Sequence, residues 1–183
     1  MLTTAEVRRS FGGAVALFLG RADGLNALDC SVAGFWRSFL TFVFILPLNA
    51  LTIYVLVRPE ENISFAPEFI RQVPALLVSW VAFPIALALA AKPLGISARY
   101  TSYVVARNWC APLWSAILTV PLLFQGAGWL SEEGTFVLWI PAWLIVLRAH
   151  YLVMRIALAV TPGVAIALVL ADVALSFCVI AIF

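Results

Sequence analysis

Five apolar stretches, each about as long as a bilayer-spanning helix, dominate this sequence of 183 residues. A helix needs about 20 mostly apolar residues to cross the hydrocarbon core of a bilayer. The connections are short and contain Pro, Gly, Asn and charged residues, as turns usually do. The predicted spans are residues 36–57, 72–91, 103–124, 135–155 and 162–183. We therefore expect an all-α integral membrane bundle of five transmembrane helices.

Composition supports a membrane location. Hydrophobic residues make up 64% of the chain and charged residues only 11%, which is too little to cover the outside of a soluble domain of this size. The net charge of +2 comes without a basic run, so a nucleic-acid partner is not expected. The lipid bilayer is the expected environment, with a homo-oligomer or another membrane protein as partner.

The first 34 residues form a different kind of segment. Apolar residues recur there at helical spacing, at Val7, Phe11, Val15 and Phe18. Arg8 and Arg9 lie alongside, which is typical of an amphipathic helix in the membrane interface. An ordinary helix packed beneath the bundle fits the pattern equally well. We assign residues 1–34 to a cytoplasmic N-terminal segment and residues 35–183 to the transmembrane domain.

The distribution of basic residues predicts the orientation. With the N-terminus inside, nine of the eleven Lys and Arg residues fall on the inner side or in the inner half, and Arg58 and Arg71 fall outside. The predicted outer connections also collect five acidic residues, Glu60, Glu61, Glu68, Glu132 and Glu133. We expect a cytoplasmic N-terminus and an outer C-terminus.

Two opposite charges lie deep inside the last two spans. Arg148 and Asp172 are each twelve residues from Val160 in the turn that joins these spans. In antiparallel helices the two charges would lie at the same depth, and a partner would offset the cost of a buried carboxylate. The predicted Arg148–Asp172 pair could fix helix register or could serve as a site coupled to protons or ions.

The other polar candidates are His150, Asn49, Asn108 and Arg107. His150 points nearly opposite to Arg148, since two residues turn a helix by about 200°; a packing role or a proton-relay role are the alternatives. Arg107 can extend to the head groups. Asn49 is expected to bond across a helix contact instead of binding a ligand. Asn108 lies near the start of the third span, about a turn or more from the inner interface.

Prolines occur within four of the predicted spans. Each removes a backbone donor and frees the carbonyl four residues earlier, and lipid cannot satisfy that carbonyl. The freed carbonyls must therefore meet protein or water. The prolines are Pro47, Pro84, Pro112, Pro121 and Pro141, and the matching carbonyls belong to Val43, Trp80, Asn108, Ile117 and Val137.

Signatures of enzymes and cofactor sites do not occur in the sequence. It has no phosphate-binding glycine loop, no H-E-x-x-H and no G-x-S-x-G. Cys30, Cys110 and Cys178 are far apart and have no metal-ligand spacing. We expect no catalytic residues, no metal and no cofactor.

Several segments of the second half share one further pattern. Residues 91–95 and 100–103 form the connection into the third span, and Ala111-Pro112-Leu113 follows within that span. Trp143, Arg148-Ala149 and residues 160–165 follow around the last two spans and their turn. Together these segments resemble Yip-domain proteins, a family of five-span membrane proteins. This resemblance implies five spans, a cytoplasmic N-terminus and no catalytic residues, and the compact form is similar to bacterial inner-membrane members.

Two functions remain open at this point. The first is a non-enzymatic scaffold or partner subunit within the bacterial inner membrane, with a periplasmic C-terminus. The second is a small transporter or channel-like protein with a site at mid-depth around Asp172 and Arg148. Whether a water-filled cavity reaches Asp172 is the observation that bears most directly on the choice.

Overall fold

The computed structural model describes residues 2–56 and 65–182, and within this part of the chain the secondary structure is entirely helical. Seven α-helices are formed there: α1 (Thr4–Phe18), α2 (Val32–Ser38), α3 (Phe42–Leu56), α4 (Phe65–Ala90), α5 (Tyr100–Gly126), α6 (Glu132–Leu158) and α7 (Pro162–Ile182). Short 3₁₀ turns lie at Ala22–Ala27, Phe39–Thr41 and Ser97–Arg99.

Five helical segments are long and apolar enough to cross a membrane, which confirms the predicted number. They are Val32–Leu56, Phe65–Ala90, Ser97–Gly126, Glu132–Leu158 and Pro162–Val179. Four of the five begin before the predicted spans, and the last begins at Pro162 as predicted. The predicted outer residues Arg58, Glu60 and Glu61, together with Phe183, lie outside the described residues.

The first of these segments is interrupted between α2 and α3. The Ser38 hydroxyl donates to the carbonyl of Phe35, and the Thr41 hydroxyl donates to the carbonyl of Ser38, both at 2.7 Å. Hydroxyls that bond back to their own helix compete with the backbone ladder and tend to bend it. The 3₁₀ turn at Phe39–Thr41 follows from this competition.

The central helix of the bundle is α5. Every residue from Tyr103 to Pro112 is buried, including the polar Arg107 and Asn108. α5 contacts α1, α2, α3 and α6, and α7 completes the bundle by packing between α4 and α6. A polar residue in this stretch of α5 is therefore enclosed by protein instead of lipid.

The turn between the last two helices forms as predicted. α6 ends at Leu158, Ala159 adopts a left-handed conformation with φ of 52°, and Pro162 is the first residue of α7. A proline at that position loses no helical hydrogen bond, because the first amides of a helix have no partner in any case. The two helices run antiparallel from this turn.

The N-terminal helix α1 packs against α5 and α6. Its buried residues are Ser10, Gly13, Ala14, Ala16 and Leu17. Three residues of the expected apolar face, Val7, Phe11 and Phe18, pack against the core, whereas Val15 is 41% exposed. Small residues let two backbones approach closely, and a Cβ on Gly13 would lie 2.7 Å from the carbonyl oxygen of Gly24.

An ionic cluster connects α1 to the start of the first long segment. Arg37 Nε lies 3.0 Å from Glu6 Oε1, and Arg37 Nη2 lies 2.5 Å from Asp29 Oδ2. Asp29 also accepts a hydrogen bond from the backbone amide of Ser31, which caps α2. Arg37 therefore joins the N-terminal segment to the bundle.

Candidate functional site: a buried charge cluster and its cavity

A cavity of about 260 Å³ lies among α4, α5, α6 and α7, with Ile45 of α3 also in its wall. At one end it is lined by the three ionisable residues Arg107, His150 and Asp172. The remaining wall is mostly apolar and aromatic, with three serines, Ser79, Ser115 and Ser176. A concave apolar site with a few convergent polar groups is the usual form of a small-molecule site.

Asp172 is the centre of the charge cluster. Its Oδ2 lies 2.9 Å from Nε2 of His150 on α6, and its Oδ1 lies 3.7 Å from Nη2 of Arg107 on α5. The Asp172 side chain is only 3% exposed. The contact to His150 is short but not aligned as a hydrogen bond, so both atoms retain bonding capacity.

The predicted pair between Arg148 and Asp172 is wrong. Arg148 is exposed on α6, and no ion pair involves it within the described part of the chain. The partner of Asp172 on α6 nevertheless lies near the predicted depth, since His150 is only two residues from Arg148. The helical rotation decides the partner: the face of α6 that meets α7 carries His150, whereas Arg148 points away from the bundle.

Arg107 does not extend to the head groups as expected. It is 7% exposed, and its Nη1 donates to the backbone carbonyl of Trp80 at 3.1 Å. That carbonyl is one of those freed by a proline, Pro84, so a side chain of a neighbouring helix satisfies it. Arg107 thus connects the carbonyl freed by Pro84 in α4 to the carboxylate on α7.

A second proline-freed carbonyl is satisfied in the same way. The single proton of the Thr41 hydroxyl is shared between the Ser38 carbonyl at 2.7 Å and the carbonyl oxygen of Asn108 at 2.9 Å. Pro112 leaves the Asn108 carbonyl without its helical donor. The Asn108 side chain donates to the Ser38 hydroxyl at 2.9 Å. Asn108 is fully buried and bonds across a helix contact, and it does not line the cavity.

Asn49 lines a smaller, adjoining cavity of about 180 Å³. The two cavities share Ile45, Leu76, Ser115 and Leu118 in their walls. Asn49 Oδ1 is buried with no hydrogen-bond partner among the described residues. Thr52 and Thr119 also line the smaller cavity, so polar groups continue beyond the charged cluster.

The position of the cluster follows from the helix lengths. At 1.5 Å per residue, Arg107, His150 and Asp172 lie roughly 10–15 Å along their helices from the ends nearest the α6–α7 turn. Other lining residues, such as Leu118 and Phe177, lie farther from that turn. The cavity therefore runs from the charged cluster toward the end of the bundle at which α5 is connected to α6.

Tryptophans of the site were not predicted. Trp80, Trp114 and Trp143 line the larger cavity, and the Trp114 ring lies 4.3 Å from the His150 ring between centroids. Trp80 Nε1 and Trp114 Nε1 are buried donors with no partner among the described residues. Trp114 lies seven residues after Arg107 and Trp143 lies seven residues before His150, so each pair shares a helix face. Only the fold identifies which of these faces converge.

The chain matches no protein-family model, no curated protein and no solved structure.

Proposed function

We propose that this chain is a non-enzymatic, multi-pass membrane protein that binds a small solute in the cavity at Asp172, in the manner of a small transporter. The observation that carries the proposal is the 260 Å³ cavity with an Asp, a His and an Arg at one end. Ionisable groups inside a membrane segment are energetically unfavourable and typically belong to functional sites. Helices that contain proline, such as α4 with Pro84, commonly line such sites.

The proposal includes the location of the protein. We place it in the bacterial inner membrane, with a cytoplasmic N-terminus and a periplasmic C-terminus, on the basis of the basic residues in the sequence. A Yip-like membership is consistent with this arrangement. Reporter fusions after Ile96 and after Ser131 should report the cytoplasm and the exterior respectively, and the reverse result would refute the orientation.

Access of water to the cavity tests the solute-binding function. Cys30, Cys110 and Cys178 are replaced by Ala, and single cysteines are introduced by Ser79→Cys, Ser115→Cys and Ser176→Cys. A membrane-impermeant thiol reagent should label these positions in intact cells. The matched controls Leu170→Cys and Ala174→Cys replace exposed residues of α7 outside the cavity wall, and they should remain unlabelled in the lipid.

The second candidate is a scaffold or partner subunit in which the cluster only fixes helix packing. It is favoured by the hydrogen bond from Arg107 to the Trp80 carbonyl, because this bond joins α5 to α4 and explains the buried arginine without a ligand. The scaffold predicts that cavity cysteines are no more reactive than the two lipid-facing controls. Equal labelling of both sets would therefore reject solute binding and favour the scaffold.

A further inference from the structure

The unsatisfied groups around the cavity are mainly donors. Arg107 Nε, Trp80 Nε1 and Trp114 Nε1 are buried N–H groups without a partner in the described part of the chain, and all three side chains line the cavity. Each of these residues is 7% exposed. The acceptor on the same wall without an aligned bond is Asp172 Oδ2, which already contacts His150. A ligand that satisfies this wall must therefore bring acceptors.

The rest of the wall favours an apolar body. Leu76, Val146, Leu147 and Phe177 surround the space beyond the cluster, together with Trp143. A carboxylate is the compact acceptor that suits an arginine and two indole N–H groups, and it can accept several hydrogen bonds at once. The wall therefore fits a short aliphatic acid, with the carboxylate at Arg107 and the tail toward Phe177.

The charge of the site implies that a proton binds together with this ligand. Two charged groups among the described residues face His150: Asp172 on α7 and Arg107 on α5. The cavity-lining residues of α3 and α4 carry no charge; they are Ile45, Leu76, Ser79 and Trp80. Arg107 and Asp172 cancel, so the site is neutral while His150 is neutral. A bound carboxylate would leave a net negative charge in a low-dielectric site, which is strongly unfavourable. One proton taken up by the His150 imidazole restores neutrality.

We propose that the cavity binds a small monocarboxylate together with one proton, which is held by His150. This inference rests on the solute-binding function proposed above and names its substrate class. Arg107 and the indole N–H groups of Trp80 and Trp114 bind the carboxylate. His150 acquires the proton from water, and Asp172 stabilises the resulting imidazolium through the existing 2.9 Å contact.

Ligand class is tested by tryptophan fluorescence of the full chain in lipid nanodiscs, since three tryptophans line the cavity. Butyrate, butyramide and butylammonium have similar sizes and differ in charge. We expect saturable binding of butyrate at least tenfold tighter than that of the other two. Ser115→Leu fills the cavity without changing its charge and should abolish binding, whereas Ala174→Leu, outside the cavity wall, should not.

Proton coupling is tested with propanesulfonate, which stays ionised at all accessible pH values and so cannot bring the proton itself. Its affinity should fall about tenfold per pH unit over the range in which His150 of the free protein is neutral. The His150→Gln variant should lose this pH dependence. If that variant fails to fold, the unmodified protein provides the test. Calorimetric titration with propanesulfonate in two buffers of different ionisation enthalpy measures the number of protons taken up per bound ligand, which should be close to one.

The outcomes separate the substrate class from the binding function. Binding of butyramide or butylammonium as tight as that of butyrate, abolished by Ser115→Leu, would overturn the monocarboxylate and retain the binding cavity. Absence of saturable binding by butyrate would also overturn the monocarboxylate, and the cysteine-labelling result would then decide the binding function separately. Propanesulfonate affinity that is independent of pH would overturn the proton on His150.

Discussion

His150 and Asp172 meet across the interface of α6 and α7, with 2.9 Å between Nε2 and Oδ2. They belong to helices joined by the short turn at residues 159–161, so the same contact that builds the cavity also sets the register of the helical hairpin. Arg107 of α5 approaches the other carboxylate oxygen, at 3.7 Å. The carboxylate of Asp172 thus connects α5, α6 and α7. Substitution of its neighbours His150 and Arg107 is therefore expected to affect stability.

Loss of the Arg107 charge should destabilise the fold, whereas loss of the Arg148 charge should not. Arg107→Gln leaves the buried Asp172 without its cation, and breaking a buried ion pair from one side costs about 3–5 kcal/mol. Arg148→Gln is the matched control because Arg148 is exposed. Unfolding of both purified variants in mild detergent by added denaturing detergent measures the difference. Equal stability of the two variants would refute the structural importance of the Arg107–Asp172 contact.

Thr41 should stabilise the bundle through a carbonyl that a proline has freed. Thr41→Val keeps the shape but removes the donor to Asn108 O, and an unsatisfied buried acceptor costs about 1–3 kcal/mol. In the Pro112→Ala background the carbonyl regains its helical donor, so Thr41→Val should cost less there. The same unfolding assay on the four members of this double-mutant cycle yields the coupling energy. A coupling energy near zero would contradict the role of Thr41 as donor to the carbonyl that Pro112 frees.

Neighbouring glycines of α1 should respond in opposite directions to alanine. Gly12 has open space around it, and an exposed helical Gly→Ala change stabilises by about 0.5–1 kcal/mol. Gly13→Ala should destabilise, because its Cβ would meet the Gly24 backbone at 2.7 Å. Thermal unfolding followed by circular dichroism compares the two. A stabilising Gly13→Ala would mean that α1 can move away from the Ala22–Ala27 turn without loss.

Asp29 should make the N-terminal segment more stable at neutral than at acidic pH. Hydrogen bonding by Ser31 and, to a smaller degree, the charge of Arg37 hold the pKa of Asp29 below its usual value. A carboxyl whose pKa is lower in the folded state than in the unfolded state stabilises the fold at pH values above its unfolded-state pKa. This stabilisation is lost as the pH falls through the folded-state pKa. Asp29→Asn should therefore lower the melting temperature at pH 7, and the difference from the unmodified protein should disappear in strong acid.

The control for this pH effect is Asp23→Asn, since Asp23 is exposed on the Ala22–Ala27 turn. That variant should melt as the unmodified protein does across the range. A pH-independent loss of stability in Asp29→Asn would point to lost packing instead of a lost charge.

The number of long helices and the last turn could be predicted from the sequence, because both depend on local features: runs of apolar residues and a proline at position 162. The depth of Asp172 followed from counting along two antiparallel helices. Its partner did not, because the choice between Arg148 and His150 depends on how α6 is rotated about its axis. Apolar residues surround α6, with Leu144 and Ile145 exposed beside Arg148, so the hydrophobic pattern does not define its buried face.

Arg107 was misassigned for a related reason. Near the end of a span, a long cationic side chain can reach water, and sequence alone does not show that α5 is enclosed on several sides. The prolines gave the correct indication that Trp80 and Asn108 carbonyls need donors. They could not identify Arg107 and Thr41 as those donors, since each lies on a different helix, far away in the sequence.

The hydrogen bond from Arg107 to the Trp80 carbonyl places one guanidinium between two other helices. Its Nη1 bonds to the backbone of α4, and its Nη2 faces the carboxylate of Asp172 on α7. Arginine suits this position because its planar group presents several N–H donors in fixed directions. Through this one side chain of α5, α4 and α7 are held together at the level where Pro84 leaves the α4 backbone without its own hydrogen bond.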